Sequence, residues 1–229
     1  MAPLKILLTN DDGWDAPGLA ALKCAVANLG EVVVMAPLHQ HSYAGHRVTT
    51  DAGLEIRETG QGEYSLSGTP ADCVRVALTT VFPEVDVVIA GINRGGNLGS
   101  DVYISGTVAA AREAALLGRK GIAISQFVRR NMELDWDDSA RHGRTALGQL
   151  LTEVHEHKTY WNVNLPHVEK TVVPGIVECE TDNEPLDVRF RREGDRVHYA
   201  GSYPARPRTP GKDVENCFGG AITVSKLRL

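Results

Sequence analysis

Lys5-Ile6-Leu7-Leu8-Thr9-Asn10-Asp11-Asp12-Gly13 is an apolar run that stops abruptly on two adjacent carboxylates and a glycine, the pattern of a strand feeding an active-site loop. Two acids side by side at a strand end repel one another, so such a pair is favoured where a cation, a bound proton or abundant solvent offsets the repulsion. A metal is the expectation here. Outward from this stretch, strand and helix signals alternate: a strand over 5–9, a helix over 17–28 stopped by Gly30, and a strand over 31–36. A second helix is expected over 70–80, where Thr69-Pro70-Ala71-Asp72 offers an N-cap, a first-turn proline and an early acid. Val85-Asp86-Val87-Val88-Ile89-Ala90 reads as a central strand covered on both faces. An alanine-rich helix over 107–117, closed by Gly118, and a strand over 121–125 follow. This succession predicts an α/β fold with a parallel sheet and right-handed crossovers, whose ligands gather beyond the carboxyl ends of the strands.

The second half is less regular. It offers a helix over 139–153, a strand over 161–164, a hairpin of 186–191 and 196–199, a proline-rich extended arm over 203–210 and a last strand over 221–224. No repeat, low-complexity tract or linker interrupts the chain. It therefore reads as a single domain over 1–229, with a core over 1–175 and the hairpin arm and last strand over 176–229.

With 229 residues and 42% hydrophobic content the chain can bury the core of one large domain. Its 24 basic against 29 acidic residues argue against a nucleic-acid duplex held on a broad basic face, while leaving room for a small anion at a local site. Cys24, Cys73, Cys179 and Cys217 lie far apart with no CxxC pair, and read as reduced, mostly buried thiols. The opening apolar run is too short for a signal peptide and no later stretch approaches a membrane span, so a soluble cytoplasmic protein is expected.

Three loops carry the chemistry: Asn10 to Gly13; His41-Ser42-Tyr43-Ala44-Gly45-His46; and Gly91-Ile92-Asn93-Arg94-Gly95-Gly96-Asn97-Leu98-Gly99. Carboxylate, hydroxyl and amide oxygens are hard ligands, favouring magnesium, manganese or calcium. Two carboxylates balance a divalent charge. With neutral Ser42 and Asn93 completing the set, the metal keeps Lewis acidity for a substrate phosphate and a water nucleophile. Ser105-Gly106-Thr107, at the start of the alanine-rich helix, adds unpaired N–H groups and hydroxyls suited to phosphate. Asp-Asp-Gly is also a common turn, Ser105-Gly106-Thr107 also a simple cap, and the glycines at 95, 96 and 99 do not form a clean dinucleotide fingerprint. His39, His41 and His46 read as solvated, with catalysis by His46 as the alternative.

Taken together, these motifs resemble the SurE family, metal-dependent nucleoside monophosphate phosphatases. The carrying stretches are Thr9-Asn10-Asp11-Asp12-Gly13 with Pro17-Gly18, Ser67-Gly68-Thr69-Pro70-Ala71-Asp72-Cys73-Val74, Gly91 to Gly99, and Tyr103-Ile104-Ser105-Gly106-Thr107-Val108-Ala109-Ala110. The resemblance implies one divalent metal (magnesium or manganese) per subunit on Asp11, Asp12, Ser42 and Asn93, with Asn97, Ser105, Gly106 and Thr107 near the phosphate. It also implies a Rossmann-like three-layer core with a mostly parallel sheet, and an extended C-terminal β-hairpin used in subunit exchange. Gly211-Lys212-Asp213 departs from the family's Gly-Thr-Asp, and the chain stops at Leu229, so a homodimer is expected ahead of a homotetramer.

The expected reaction is hydrolysis of nucleoside 5′- or 3′-monophosphates, as in a 5′-nucleotidase or acid phosphatase. Asp11 and Asp12 hold the metal, Asn97 stabilises charge on phosphate oxygens, and Asp12 can accept the water proton. An aspartyl-phosphate route fits less well because position 13 is glycine where such phosphatases carry a second acid. A receiver-like signalling module would need a phosphorylatable Asp where this chain has Asn93. A metal-dependent sugar-nucleotide transferase is the remaining alternative.

Overall fold

The computed structural model describes residues 3–186 and 188–229. The first half builds β1 (Lys5–Thr9), α1 (Pro17–Val26), β2 (Glu31–Pro37), β3 (Ile56–Gly60), β4 (Glu63–Leu66), α2 (Pro70–Val76), β5 (Val87–Arg94) and α3 (Gly106–Leu116). The second builds β6 (Lys120–Gln126), α4 (Trp136–Leu150), β7 (Thr159–Leu165), β8 (Ile176–Glu178), β9 (Phe190–Glu193), β10 (Arg196–Tyr199), α5 (Asp213–Phe218) and β11 (Ile222–Arg228). Nine strands form one sheet in the order β3-β4-β2-β1-β5-β6-β7-β11-β8, and β9 and β10 form a separate antiparallel hairpin.

From β4 through β2, β1, β5 and β6 to β7 every pairing is parallel. Alternate residues of the central strands enter two different cores. Ile6, Leu8, Val87 and Ile89 pack with Leu19 and Leu22 of α1 and Leu147 and Leu150 of α4. Leu7, Val88 and Ala90 pack on the other face with Cys73 and Val74 of α2 and Ala110 and Ala114 of α3. Double burial is why β1 and β5 read as nearly unbroken apolar runs. The result is the expected three-layer, mostly parallel α/β sandwich.

The chain runs from β1 to β2 on one side and later returns to β5 on the other. Sheets of this kind bind ligands at that reversal, beyond the strand carboxyl ends. Asp11 and Asp12 follow β1 directly at this point.

Several boundaries differ from expectation. α2 ends at Val76 and continues as a π-helical turn over Ala77–Val81, and α4 begins at Trp136, capped by Asp135, whose side chain accepts from the Asp137 amide at 2.9 Å. β5 runs on through Asn93 instead of stopping at Ala90, since glycine at 91 lets the Ile124 carbonyl come where a Cβ would stand 2.3 Å from it. β11 reaches Arg228 because its antiparallel pairing with β7 continues to Arg228↔Thr159. In the hairpin the first strand starts at Phe190; of the expected 186–191 strand, residue 187 lies outside the described residues. The proline-rich 203–210 segment opens with a 3-10 turn, Tyr203–Ala205. Cys73 and Cys217 are buried as expected, whereas Cys24 is exposed.

Candidate active site

Asp11 is buried and Asp12 half-buried at the end of β1. The local turn is set by Asn10, whose Nδ2 donates to the Gly13 carbonyl at 2.7 Å and whose Oδ1 accepts from the Gly13 amide at 3.3 Å. Hydrogen bonds from three other segments then converge on the pair. The Thr107 hydroxyl donates to Asp11 Oδ1 at 2.5 Å. Gln40 Nε2 reaches both Asp12 Oδ1, at 3.3 Å, and Ser42 Oγ, at 2.9 Å. The Arg94 amide donates to Asp12 Oδ2 at 3.3 Å, bringing neighbouring Asn93 alongside. Asn93 Nδ2 is occupied by the Gly95 carbonyl at 2.8 Å, which leaves its Oδ1 as the free end.

Among the described residues neither carboxylate has an ion-pair partner. Burial pushes the Asp11 carboxyl up to about 6; the neighbouring charge of Asp12 adds to this and the Thr107 hydrogen bond offsets part of it. Burial likewise raises Asp12, against lowering contributions from the Arg94 amide, Gln40 and the charge of the Arg94 guanidinium. A pair of acids held together with no ion-pair contact and only the more distant charge of Arg94 nearby, beside a hydroxyl and an amide oxygen, is a donor set that fits a hard divalent cation. Among the described residues no three His, Cys, Asp or Glu gather into a metal cluster.

Asp11, Asp12, Ser42, Asn93, Asn97 and Ser105 all line one cleft of about 1350 Å³. Gly106 and Thr107 stand against Asp11 rather than in the cleft wall. A Cβ on Gly106 would lie 3.0 Å from the Asp11 Cβ and 3.1 Å from its Oδ2, so only glycine lets the helix start approach this closely. Gly106→Ala is expected to displace Asp11 and lower kcat/KM about 10- to 100-fold with a small change in melting temperature. Steady-state kinetics beside a thermal melt separate the two effects. Ser105 caps α3, its Oγ accepting from the Val108 amide at 3.1 Å.

Asn97 is fixed from every side. Its amide donates to Asn164 Oδ1 at 2.8 Å, its Nδ2 to Ser125 Oγ at 2.8 Å, and its carbonyl accepts from Asn162 at 2.8 Å. The following turn is tied to the end of the chain: the Gly99 amide donates to Asp213 Oδ2 at 2.8 Å, and Arg206 bonds the Leu98 carbonyl at 3.1 Å and Asp101 at 2.6 Å.

His46 does not reach the cleft. Its Nε2 lies 2.6 Å from Glu113 Oε2 on α3, whose other oxygen accepts from Arg75 Nε at 2.6 Å, so the residue tethers its loop rather than facing Asp12. Gln40, Ser125, Asn162 and Asn164 were not legible as site residues. Ser125, Asn162 and Asn164 become neighbours of Asn97 only through sheet pairing, although Asn162-Val163-Asn164 carries a trace of this in placing two amides on one face of a strand, and Gln40 meets Asp12 because the loop after β2 folds against the end of β1.

A doubly wound sheet whose cleft gathers oxygen donors at the strand carboxyl ends defines a Rossmann-like α/β protein. The family model described as Survival protein SurE matches residues 6–186. A protein of Synechocystis sp. is 45% identical over 227 residues, covering 99% of this chain and 100% of its own. The 5′-nucleotidase SurE of Rhodospirillum rubrum is 38% identical over 233 residues, covering 97% and 89%. The crystal structure of the SurE protein from Aquifex aeolicus superposes with a TM-score of 0.88 at 33% identity, over 98% of this chain and 93% of that one. The chain belongs to the SurE family.

Proposed function

We propose that this protein is a metal-dependent phosphomonoesterase that hydrolyses nucleoside 5′- or 3′-monophosphates to nucleoside and phosphate. The observation that carries this reading is the convergence of Asp11, Asp12, Ser42 and Asn93 on one cleft, knitted through Gln40 and the Arg94 amide, with no cationic side chain among the described residues in ion-pair contact with the acids. The nucleotidase names of its relatives support it. Held by those four residues, a magnesium or manganese ion would supply Lewis acidity to the phosphate and to the attacking water.

The chain's own groups do the remaining work. Thr107 orients Asp11 through its hydroxyl, and Gln40 holds Asp12 and Ser42 in register. Asn97, fixed by Ser125 and Asn164, and the helix start at Ser105, Gly106 and Thr107 offer hydrogen bonds to the phosphate oxygens as charge develops. Asp12, the less buried acid, accepts the proton of the water. The Oδ2 of Asp12 is near the Arg94 amide, which keeps that carboxylate aimed into the cleft.

The reading places the enzyme in the cytoplasm as a homodimer. No helix among the described residues is long and apolar enough to cross a membrane. The hairpin of β9 and β10 exposes Phe190, Val197 and Tyr199, and Val188 is exposed just before it, apolar surface suited to a second copy.

Phosphate release from a panel of nucleoside monophosphates and an aryl phosphate, in manganese, magnesium or chelator, tests the assignment. Turnover of the nucleotides with either metal and loss of at least about a thousandfold in chelator is the expected result. Activity retained in chelator overturns the metal, and phosphate trapped on Asp11 after an acid quench overturns attack by water.

A further inference from the structure

Two exposed apolar side chains stand directly beside the polar floor of the cleft. Tyr43 follows Ser42 and Ile104 precedes Ser105, so in each case Cα atoms only about 3.8 Å apart join an apolar side chain to a site residue. Both line the cleft that Asp11 and Asp12 line, and both are open to solvent, Tyr43 at 84% and Ile104 at 47% exposure. Their loops are tied together, the Gly45 amide donating to the Ile104 carbonyl at 3.1 Å. Ser42 is linked to Asp12 through Gln40, at 2.9 and 3.3 Å, which fixes the base of the tyrosine close to the acidic pair.

Packing does not account for a large aromatic at position 43. Among the described residues no hydrogen bond, ion pair or ring contact engages the Tyr43 side chain. Its backbone sits at φ +58°, the left-handed region that a bulky side chain enters only under strain. Burial, which would offset that strain, is absent. A strained residue at the mouth of a cleft, with its ring unengaged, is the arrangement of a ligand contact. An aromatic ring of this kind offers a face to another flat ring, and stacking a nucleic-acid base on such a ring strengthens binding about tenfold or more. Leu186 and Tyr199 are another exposed apolar part of the lining, but the segments that carry them supply none of the metal or phosphate residues.

Resting on the phosphomonoesterase reading, we propose that Tyr43 is a specificity-determining residue whose ring stacks on the base of the bound nucleotide, with Ile104 completing the apolar surface. The phosphate then lies on the polar floor, at the acidic pair and the start of α3, and the sugar spans the short distance between. Recognition of this kind reads the flat ring rather than the identity of the base, and it discriminates against phosphate esters that carry no aromatic ring.

The test compares kcat/KM of the manganese-loaded protein for adenosine 5′-monophosphate and for ribose 5-phosphate, which differ only in the base. The parent is expected to favour the nucleotide at least about tenfold. In Tyr43→Ala that ratio falls to near unity, chiefly through a raised KM for the nucleotide, because stacking holds ground state and transition state alike. Tyr43→Phe keeps the ratio. Tyr43→Gly, which suits the left-handed backbone, loses it while melting no lower than the parent. A purely structural role for the side chain would shift both esters together and leave the ratio where it was. Adenosine affinity, measured by calorimetry with manganese, supplies a readout independent of turnover and is expected to fall at least about tenfold in Tyr43→Ala. A ratio that survives in Tyr43→Ala overturns the stacking role and sends the base to the wall of Leu186 and Tyr199. Equal handling of the two esters by the parent overturns base recognition and leaves the phosphomonoesterase reading intact. No turnover of either ester overturns the phosphomonoesterase reading instead, and adenosine affinity then still decides the role of Tyr43.

Discussion

In the presence of chelator, Asp11→Asn is expected to melt higher than the parent chain at pH 7.5 while releasing phosphate at least about a thousandfold more slowly when manganese is supplied. The stability gain follows from the direction in which Asp11 is shifted. Burial holds its carboxyl at about 6 against 3.8 for the free side chain. A group with a raised value binds its proton more tightly folded than unfolded, so ionisation draws the equilibrium toward the unfolded chain. The penalty is absent below about pH 4, grows between about pH 4 and pH 6, and is complete above that window. The difference sets a ceiling near 3 kcal/mol, at about 1.4 kcal/mol per pH unit. Asparagine keeps an oxygen for the Thr107 hydroxyl and removes the charge, so a gain of about 1–3 kcal/mol, or roughly 2–10 °C, is expected. Near pH 4 the two proteins should melt together. Manganese should reverse the order at pH 7.5, since a ligand stabilises whichever chain binds it. Parallel melts at both pH values that show the variant no better at pH 7.5 than at pH 4 would sink the account.

The second large effect concerns Gly18, in the first turn of α1. By propensity alone Gly→Ala in a helix gains about 1 kcal/mol. Here the new Cβ would stand 2.0 Å from the Ile92 carbonyl and 3.1 Å from the Trp136 ring. A backbone atom cannot rotate aside, so the helix must lift from β5, and the overlap outweighs propensity. Gly18→Ala is expected to destabilise the protein by about 3–5 kcal/mol, roughly 8–15 °C in melting temperature. Because Ile92 adjoins Asn93, the same displacement should cost activity in the surviving folded fraction. Gly148, on the exposed face of α4 with nothing within 4 Å of its would-be Cβ, is the control. There alanine should stabilise by about 0.5–1 kcal/mol. Equal effects at the two sites, read by denaturant melts, would refute the packing explanation.

The elements that were legible in the sequence are those buried on two faces or capped by strong local chemistry. β1 and β5 announce themselves as apolar runs, and α2 by a capping box in which Thr69 and Asp72 bond each other's amides, at 3.2 and 3.0 Å. β3 was invisible because Ile56-Arg57-Glu58-Thr59-Gly60 is an exposed edge strand with no apolar alternation, held only by pairing to β4. β8, three residues long, owes its existence to β11 beside it. For the site, the oxygen-bearing side chains could be picked out by type, and the cleft gathers them. What could not be read were the supports: Gln40 between Asp12 and Ser42, and Ser125 and Asn164 around Asn97. Their roles depend on strand order, which no local pattern encodes.

The Asp213 carboxylate, which accepts from the amides of Gly99, Asp182 and Val214, lies far downstream of the loop it braces. The acidic pair and the strut that braces the Asn97 loop therefore come from widely separated parts of the chain, and the docking of α5 is what locks the turn behind Asn97.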